Sequence, residues 1–206
     1  MDTNIVINDD CLNYMKSLPD KCIDLCLTDP PYGINILKSE RISKSRGFKG
    51  NWDDFIPTKE YFDEIFRISK NQVIWGGNYF IEYLQNTRCF LIWDKNNYGR
   101  DFADCEMAWT SIDKVARVFK YRPMNMDGGK VHPTQKPIEL FSWILENYSK
   151  ENDIIFDPFA GSGTTAISCI NMNRQYLLVE KEVEYFNIIN KRISEHNDGN
   201  LLNYLG

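Results

Sequence analysis

Three short segments hold the residues best able to do chemistry. Thr28-Asp29-Pro30-Pro31-Tyr32-Gly33 follows an apolar run, and its two prolines remove N–H donors while fixing an extended, rigid turn. Acceptors are thereby left to face one cleft. The Asp29 carboxylate and the Pro30 carbonyl can take both hydrogens of an exocyclic amino group, and the Tyr32 ring offers a stacking face to a planar base. An arylamine nitrogen shares its lone pair with its ring and is a poor nucleophile until it pyramidalises, a change that two acceptors favour. The plain alternative is an Asp-Pro break at the end of a strand.

The second segment, Asp153 to Ala166, reads DIIFDPFAGSGTTA: an apolar strand, a glycine turn and the start of a helix. Gly161, Gly163 and Ala166 satisfy the GxGxxG/A spacing of nucleotide-binding folds, and Glu180 lies 17 residues beyond Gly163. Glycines let the backbone approach a ligand closely, the helix start presents free N–H groups, and a later carboxylate can accept both hydroxyls of a ribose. A glycine turn needed only for packing has the same letters. Asp157 bears on the ligand, because its carboxylate would repel a pyrophosphate and attract an ammonium, as on a methionyl group. The third segment, His132-Pro133-Thr134-Gln135-Lys136-Pro137, leads into a helical stretch, where a Thr ahead of a Pro-started helix is also an ordinary cap.

Elements able to position these segments are visible in the hydrophobic pattern. Seven short apolar runs read as strands: Ile5 to Asn8, Ile23 to Thr28, Gln72 to Trp75, Cys89 to Trp93, Glu106 to Thr110, Asp153 to Phe156 and Gln175 to Val179. Helix-period stretches lie between many of them, most clearly Pro137 to Tyr148, Thr164 to Asn171 and Glu182 to His196. Such alternation specifies an α/β layer fold, and the continuous apolar runs suit a sheet covered on both faces. The chain reads as a single domain over 1–206. Two stretches without clear period, about 33–57 and 112–131, read as functional loops inserted into the sheet.

Composition sets the outer bounds. The 206 residues are 43% hydrophobic and 26% charged, a globular balance. No apolar run approaches the roughly 20 residues of a membrane span, and no basic-then-apolar leader is seen, so membrane and secreted proteins are excluded and a cytoplasmic location is expected. The six cysteines form no CxxC pair and the chain has two histidines, which points to reduced thiols and no metal site. A net charge of −5 argues against a uniformly basic coat. Positive charge is instead concentrated in Lys38, Arg41, Lys44, Arg46 and Lys49, and again in Lys114, Arg117, Lys120, Arg122 and Lys130. Each cluster contains one acid, Glu40 and Asp127 respectively, so two loops can hold a polyanion on an otherwise acidic chain.

Together, TDPPYG and FDPFAGSGT resemble the amino-methylating DNA methyltransferases, which transfer a methyl group from S-adenosylmethionine (SAM). DPPY precedes the glycine turn by 128 residues and HPTQKP lies between them, an order similar to that of the circularly permuted β group. The resemblance implies a Rossmann-like SAM-dependent methyltransferase fold with a seven-stranded, mostly parallel sheet, its strands running 3, 4, 5, 6, 7, 1, 2 along the chain. It makes Asp29, Pro30, Pro31 and Tyr32 the catalytic motif. Asp157, Phe159, Gly161, Ser162, Gly163 and Thr164 would hold the methionine portion, Glu180 the ribose, and Thr134 with Lys136 the methionine carboxylate. Asp10, with Asp9 as substitute, would contact the cofactor adenine. His132 reads as packing.

The implied activity is site-specific DNA adenine N6 methylation, since Asp rather than Ser before Pro-Pro-Tyr favours adenine over cytosine N4. Cytosine N4 methylation, RNA or protein methylation and a catalytically silent nucleic-acid-binding subunit are the alternatives. RNA and protein enzymes usually place the glycine turn first, and intact Asp29, Tyr32, Asp157 and Glu180 argue against a silent subunit. Lys38 to Lys49 and Arg117 to Arg122, the latter interleaving cations and aromatics, are the expected DNA contacts. The span for target recognition before HPTQKP is only about 20 residues, little surface for reading a sequence. The family often dimerises, so a homodimer is expected from the resemblance, although no segment marks an interface. Restriction-modification is one setting the resemblance allows, beside an orphan and a phage-borne enzyme.

Overall fold

Parallel pairing builds the centre of the molecule from strands that are apolar along their whole length. In the computed structural model, which describes residues 1–34, 56–99, 103–123 and 135–204, eight strands form one sheet. They are β1 (Ile5–Ile7), β2 (Ile23–Thr28), β3 (Ser69–Trp75), β4 (Phe90–Asp94), β5 (Cys105–Thr110), β6 (Arg117–Lys120), β7 (Ile154–Asp157) and β8 (Gln175–Val179). Their order is β1-β8-β7-β2-β3-β5-β4-β6. β5 runs antiparallel to β3 and β4, and every other pair is parallel.

Among the described residues five α-helices complete the layers: α1 (Cys11–Ser17), α2 (Lys59–Ile68), α3 (Ile138–Tyr148), α4 (Thr164–Asn171) and α5 (Val183–Tyr204). Successive side chains of a strand point to opposite faces, so Leu25 and Leu27 of β2 enter a core with α3, α4 and Ile189 of α5, while Cys26 packs with Met15, Ile65 and Ile68 of α1 and α2. The α/β fold expected from the pattern is the one observed. None of the helices is long and apolar enough to cross a membrane, and no metal-binding group occurs among the described residues.

The sheet has an eighth strand where the hydrophobic pattern predicts a loop. Arg117–Lys120 adds to β4 in parallel, placing Arg117 beside Leu91 and Lys120 beside Asp94. Val118 is half-exposed and both cations point outward, as an edge strand allows, so no continuous apolar run marks it.

Connections from the two central strands diverge. β7 leads through α4 to β8 on one side, whereas β2 leads to β3 on the other, with α2 on the opposite face of the sheet. Between β7 and β2 the strand order therefore switches direction, and such a point leaves a crevice beyond the carboxyl ends of the strands. DPPY follows β2 and the glycine turn follows β7, so both motifs open into that crevice.

Candidate active site

Thr28 and Asp157 end the two central strands and join their motifs directly. Thr28 Oγ1 donates to Asp157 Oδ1 at 2.8 Å, Thr165 Oγ1 donates to Oδ2 at 2.5 Å, and the Phe159 N–H reaches Oδ1 at 3.2 Å. Burial pushes the Asp157 carboxyl up to about 6 against these donors. The turn that follows needs left-handed backbone at Gly161 and Gly163, with φ of 52° and 76°. At Gly163 a Cβ would also fall 2.9 Å from Ile189, so close packing and turn geometry both require glycine there.

Glu180 closes the other side of the turn. Its Oε2 accepts the Gly161 N–H at 2.8 Å and its Oε1 the Glu182 N–H at 2.9 Å. Burial pushes its carboxyl up to about 7, with the two N–H groups and then the nearby carboxylates as smaller influences. Asp10 caps α1 by accepting the Leu12 N–H at 3.0 Å and pairs with Lys181 at 3.1 Å, while Tyr61 donates to it at 3.2 Å. Desolvation alone would raise its carboxyl, but these donors together outweigh it and hold the group below the ordinary range. The Tyr61 ring in turn stacks on Phe159 at 6.1 Å, so Asp10 and Phe159 border the same space. Ser162 and Thr164 are buried, with their hydroxyls 3.3 Å apart.

Across the crevice both oxygens of Asp29 are engaged. Tyr32 donates its hydroxyl to Oδ1, and the Lys136 ammonium lies 2.5 Å from Oδ2. Burial pushes the Asp29 carboxyl up and Lys136 pulls it back. Pro30 and Pro31 are buried, and one face of the Tyr32 ring is taken by Tyr79, stacked at 4.7 Å. Lys136, only 4% exposed, also pairs with Glu106 at 3.0 Å, and Glu106 pairs with Lys95 at 2.5 Å. Although desolvation opposes it, the two ammoniums hold Glu106 down to about 2.

The resemblance assigns Lys136 to the cofactor, whereas its ammonium sits on Asp29. Its backbone does reach the glycine turn, since Thr164 Oγ1 donates to the Lys136 carbonyl at 3.3 Å. Glu106, Lys95, Tyr79 and Gly76 belong to no motif and escape the sequence reading. A double glycine directly after β3 is a readable sign of close approach: Gly76 has φ of 66°, and a Cβ there would fall 2.1 Å from Tyr32 Cε1. The lone acid Glu106 carries no comparable sign.

Arg117, Lys120 and Arg122 are exposed at the far edge of the sheet. Phe119 and Tyr121 between them stack on each other at 6.1 Å, and Phe119 packs on Trp143 of α3 at 5.4 Å. The aromatics of this segment thus serve packing while the cations face outward. Lys38, Arg41, Lys44, Arg46, Lys49, His132 and Thr134 lie outside the described residues.

The crevice thus lies at a strand switch point, with two buried acids around a glycine turn on one wall and DPPY on the other. Residues 74–191 match the DNA methylase family of N6 and N4 methyltransferases, and the chain belongs to that family. M.HinfI, a type II methyltransferase of Haemophilus influenzae, is 28% identical over 246 aligned residues, covering 93% of this chain and 68% of its own length. The crystal structure of the M1.HpyAVI–SAM complex superposes with a TM-score of 0.61 at 24% identity, covering 91% of this chain and 98% of that one. The PvuII cytosine-N4-specific DNA methyltransferase gives a TM-score of 0.64 at 15% identity, covering 92% and 86%.

Proposed function

We propose that this protein is a site-specific DNA methyltransferase of the circularly permuted β group that uses SAM and acts on the N6 amino group of adenine. The observation that carries the reading is the 2.8 Å hydrogen bond between Thr28 and Asp157, which fastens an amine-accepting motif and a glycine turn to one crevice. The chain order, DPPY before HPTQKP before the turn, supports the β group, and Asp29 rather than Ser before Pro-Pro-Tyr supports adenine.

The residues present fit the donor. Asp157 and Glu180 are buried acids beside a turn that has no Cβ at Gly161 or Gly163, an environment suited to an ammonium and to vicinal hydroxyls. Asp157, Phe159, Gly161, Ser162, Gly163 and Thr164 would hold the methionine portion, Glu180 the ribose and Asp10 the adenine. Thr134 and Lys136 are proposed for the methionine carboxylate, Lys136 through its backbone N–H, since its carbonyl accepts from Thr164. When bound, SAM supplies a methyl group made electrophilic by its sulfonium.

The rest falls to this chain. Asp29 and the Pro30 carbonyl accept the two hydrogens of the target amine and free its lone pair for attack. Pro31 keeps the turn rigid and Tyr32 offers its ring to the base. A base in a duplex cannot reach this crevice, so it must swing out of the stack, at a cost of a few kcal/mol that these contacts offset. Positioning does most of the work, because the electrophile needs no strong base. Arg117, Lys120 and Arg122 on and beside β6, with Lys38, Arg41, Lys44, Arg46 and Lys49, are the proposed contacts to DNA phosphates.

Incubation with labelled SAM and mixed-sequence DNA, followed by nucleoside analysis and mapping, tests the reading. N6-methyladenine at one short sequence is expected. N4-methylcytosine would overturn the target base while keeping the class, and label in RNA or protein alone would overturn the DNA assignment.

A further inference from the structure

Each oxygen of Asp29 holds a donor before any substrate arrives. Tyr32 sits on one oxygen and Lys136 on the other, so an amino group that is to donate to this carboxylate competes with a neutral and a charged donor for its remaining lone pairs and for the space beside them. Tyr32 is held by its stack with Tyr79 and by the backbone of Gly76. Lys136 has somewhere else to go. Its ammonium already lies 3.0 Å from Glu106 and over the rings of Tyr32 and Trp75 at 5.8 and 5.7 Å, and Glu106 is fixed by Lys95 at 2.5 Å.

Resting on the methyltransferase reading above, we propose that Glu106 is a positioning residue that takes over the Lys136 ammonium when the target amine claims Asp29. A buried ammonium deprived of its counterion is strongly disfavoured, and Glu106 keeps Lys136 paired at both stages. The exchange also suits the chemistry. As the amine nitrogen forms its bond to the methyl carbon and the carbon–sulfur electron pair leaves with sulfur, positive charge develops on nitrogen, and a proton then passes from nitrogen to solvent. An ammonium left 2.5 Å from Asp29 would oppose that charge, whereas one drawn to Glu106 leaves the Asp29 carboxylate to stabilise it. A purely structural ion-pair chain would gather the same four charges, and the preference for an exocyclic amine measured below is the readout that such a role would not move.

The groups facing Asp29 among the described residues are Tyr32, Lys136, Glu106 with Lys95 behind it, and Asp157 at the end of β7. They set opposite expectations for two variants. Glu106→Gln leaves Lys136 bound to Asp29 alone, so the acidic limb of methyl transfer moves to lower pH while kcat falls about tenfold or more. Lys136→Met leaves Asp29 facing Glu106 with no cation between them, so the limb moves to higher pH. The double variant returns the limb toward its original position, and Lys136→Arg recovers part of the activity that Lys136→Met removes.

A second readout needs no turnover: fluorescence anisotropy of the cofactor-free protein with oligo(dA) and oligo(dT), of which only dA carries an exocyclic amine. Glu106→Gln is expected to reduce the dA-over-dT preference about fivefold. An unchanged preference, or acidic limbs that move the same way in both single variants of an active protein, overturns the role of Glu106. A wild-type protein without turnover on any DNA overturns the methyltransferase reading itself, and this role with it.

Discussion

Thr28 and Asp157, 129 residues apart in the chain, share a 2.8 Å hydrogen bond at the carboxyl ends of two neighbouring parallel strands. The bond fixes the distance between the two walls of the crevice, and Asp157 is buried enough to depend on it. Thr28→Val keeps the shape and removes the donor. It should cost about 1–3 kcal/mol of unfolding free energy, because a buried carboxylate oxygen is left with one donor fewer. Urea unfolding measures this directly, and SAM affinity should fall in parallel; a variant as stable as the parent would show that the seam is held by packing alone.

Asp29→Ala separates the two walls by function. Methyl transfer should drop at least about a hundredfold, since the acceptor for the target amine is gone, while SAM affinity stays within about twofold. Folding should survive, because Glu106 at 3.0 Å continues to pair the buried Lys136. Single-turnover methylation and equilibrium cofactor binding report the two effects separately. Normal methylation by this variant would remove DPPY from the reaction.

Much of this arrangement is legible in the residues themselves. β2, β7 and β8 are covered on both faces, so they read as unbroken apolar runs, and the motifs are spelled by Pro and Gly, whose backbone restrictions act locally. β6 escapes notice because an edge strand need bury little: Val118 is 54% exposed and its flanks are cations. The charge chain Asp29, Lys136, Glu106, Lys95 is invisible for a different reason. Lys136 and Glu106 meet only because β5 inserts antiparallel between β3 and β4, a placement that periodicity does not specify. Four residues of the stretch read as a loop, 112–131, belong instead to β6 at the outer edge of β4.

The cations on and beside β6 make a salt-dependence test simple. Replacing Arg117, Lys120 and Arg122 with Gln should flatten the dependence of log K on log salt by about 0.9 for each phosphate that is no longer neutralised. Stability should barely change, as all three are exposed and Lys120 is a distant 4.0 Å from Asp94. DNA titrations at several salt concentrations give the slope, and an unaltered slope would take this edge out of the interface.

Gly76→Ala should damage activity more than its size suggests. The new methyl would lie 2.1 Å from Tyr32 Cε1 and the backbone would remain at φ of 66°, so either the ring or the turn must move. Displacing Tyr32 disturbs both the stacking face and the hydroxyl that holds Asp29. A loss of about 1–3 kcal/mol in stability is expected, together with at least a tenfold fall in kcat/KM at temperatures where the variant remains folded. Full activity in a folded Gly76→Ala would mean that the Tyr32 position is not critical.

The ribose contact proposed for Glu180 would tie cofactor affinity to pH. Its carboxyl rises from an ordinary 4.5 to about 7 in the folded, ligand-free protein, because burial disfavours the charge. The folded state therefore binds the proton more tightly than the unfolded chain does. Its stabilising contribution is complete below about pH 4.5 and disappears as pH climbs to about 7. Ribose hydroxyls donate best to the ionised carboxylate, so SAM binding should favour proton release from Glu180. Affinity is then expected to rise about tenfold between pH 6 and pH 8, where the carboxyl ionises. Calorimetric titration at several pH values, repeated in buffers of different ionisation enthalpy, measures both the affinity and the protons released. Glu180→Gln should bind more weakly and lose that part of the pH dependence; a wild-type affinity that is flat across this range would separate Glu180 from the ribose.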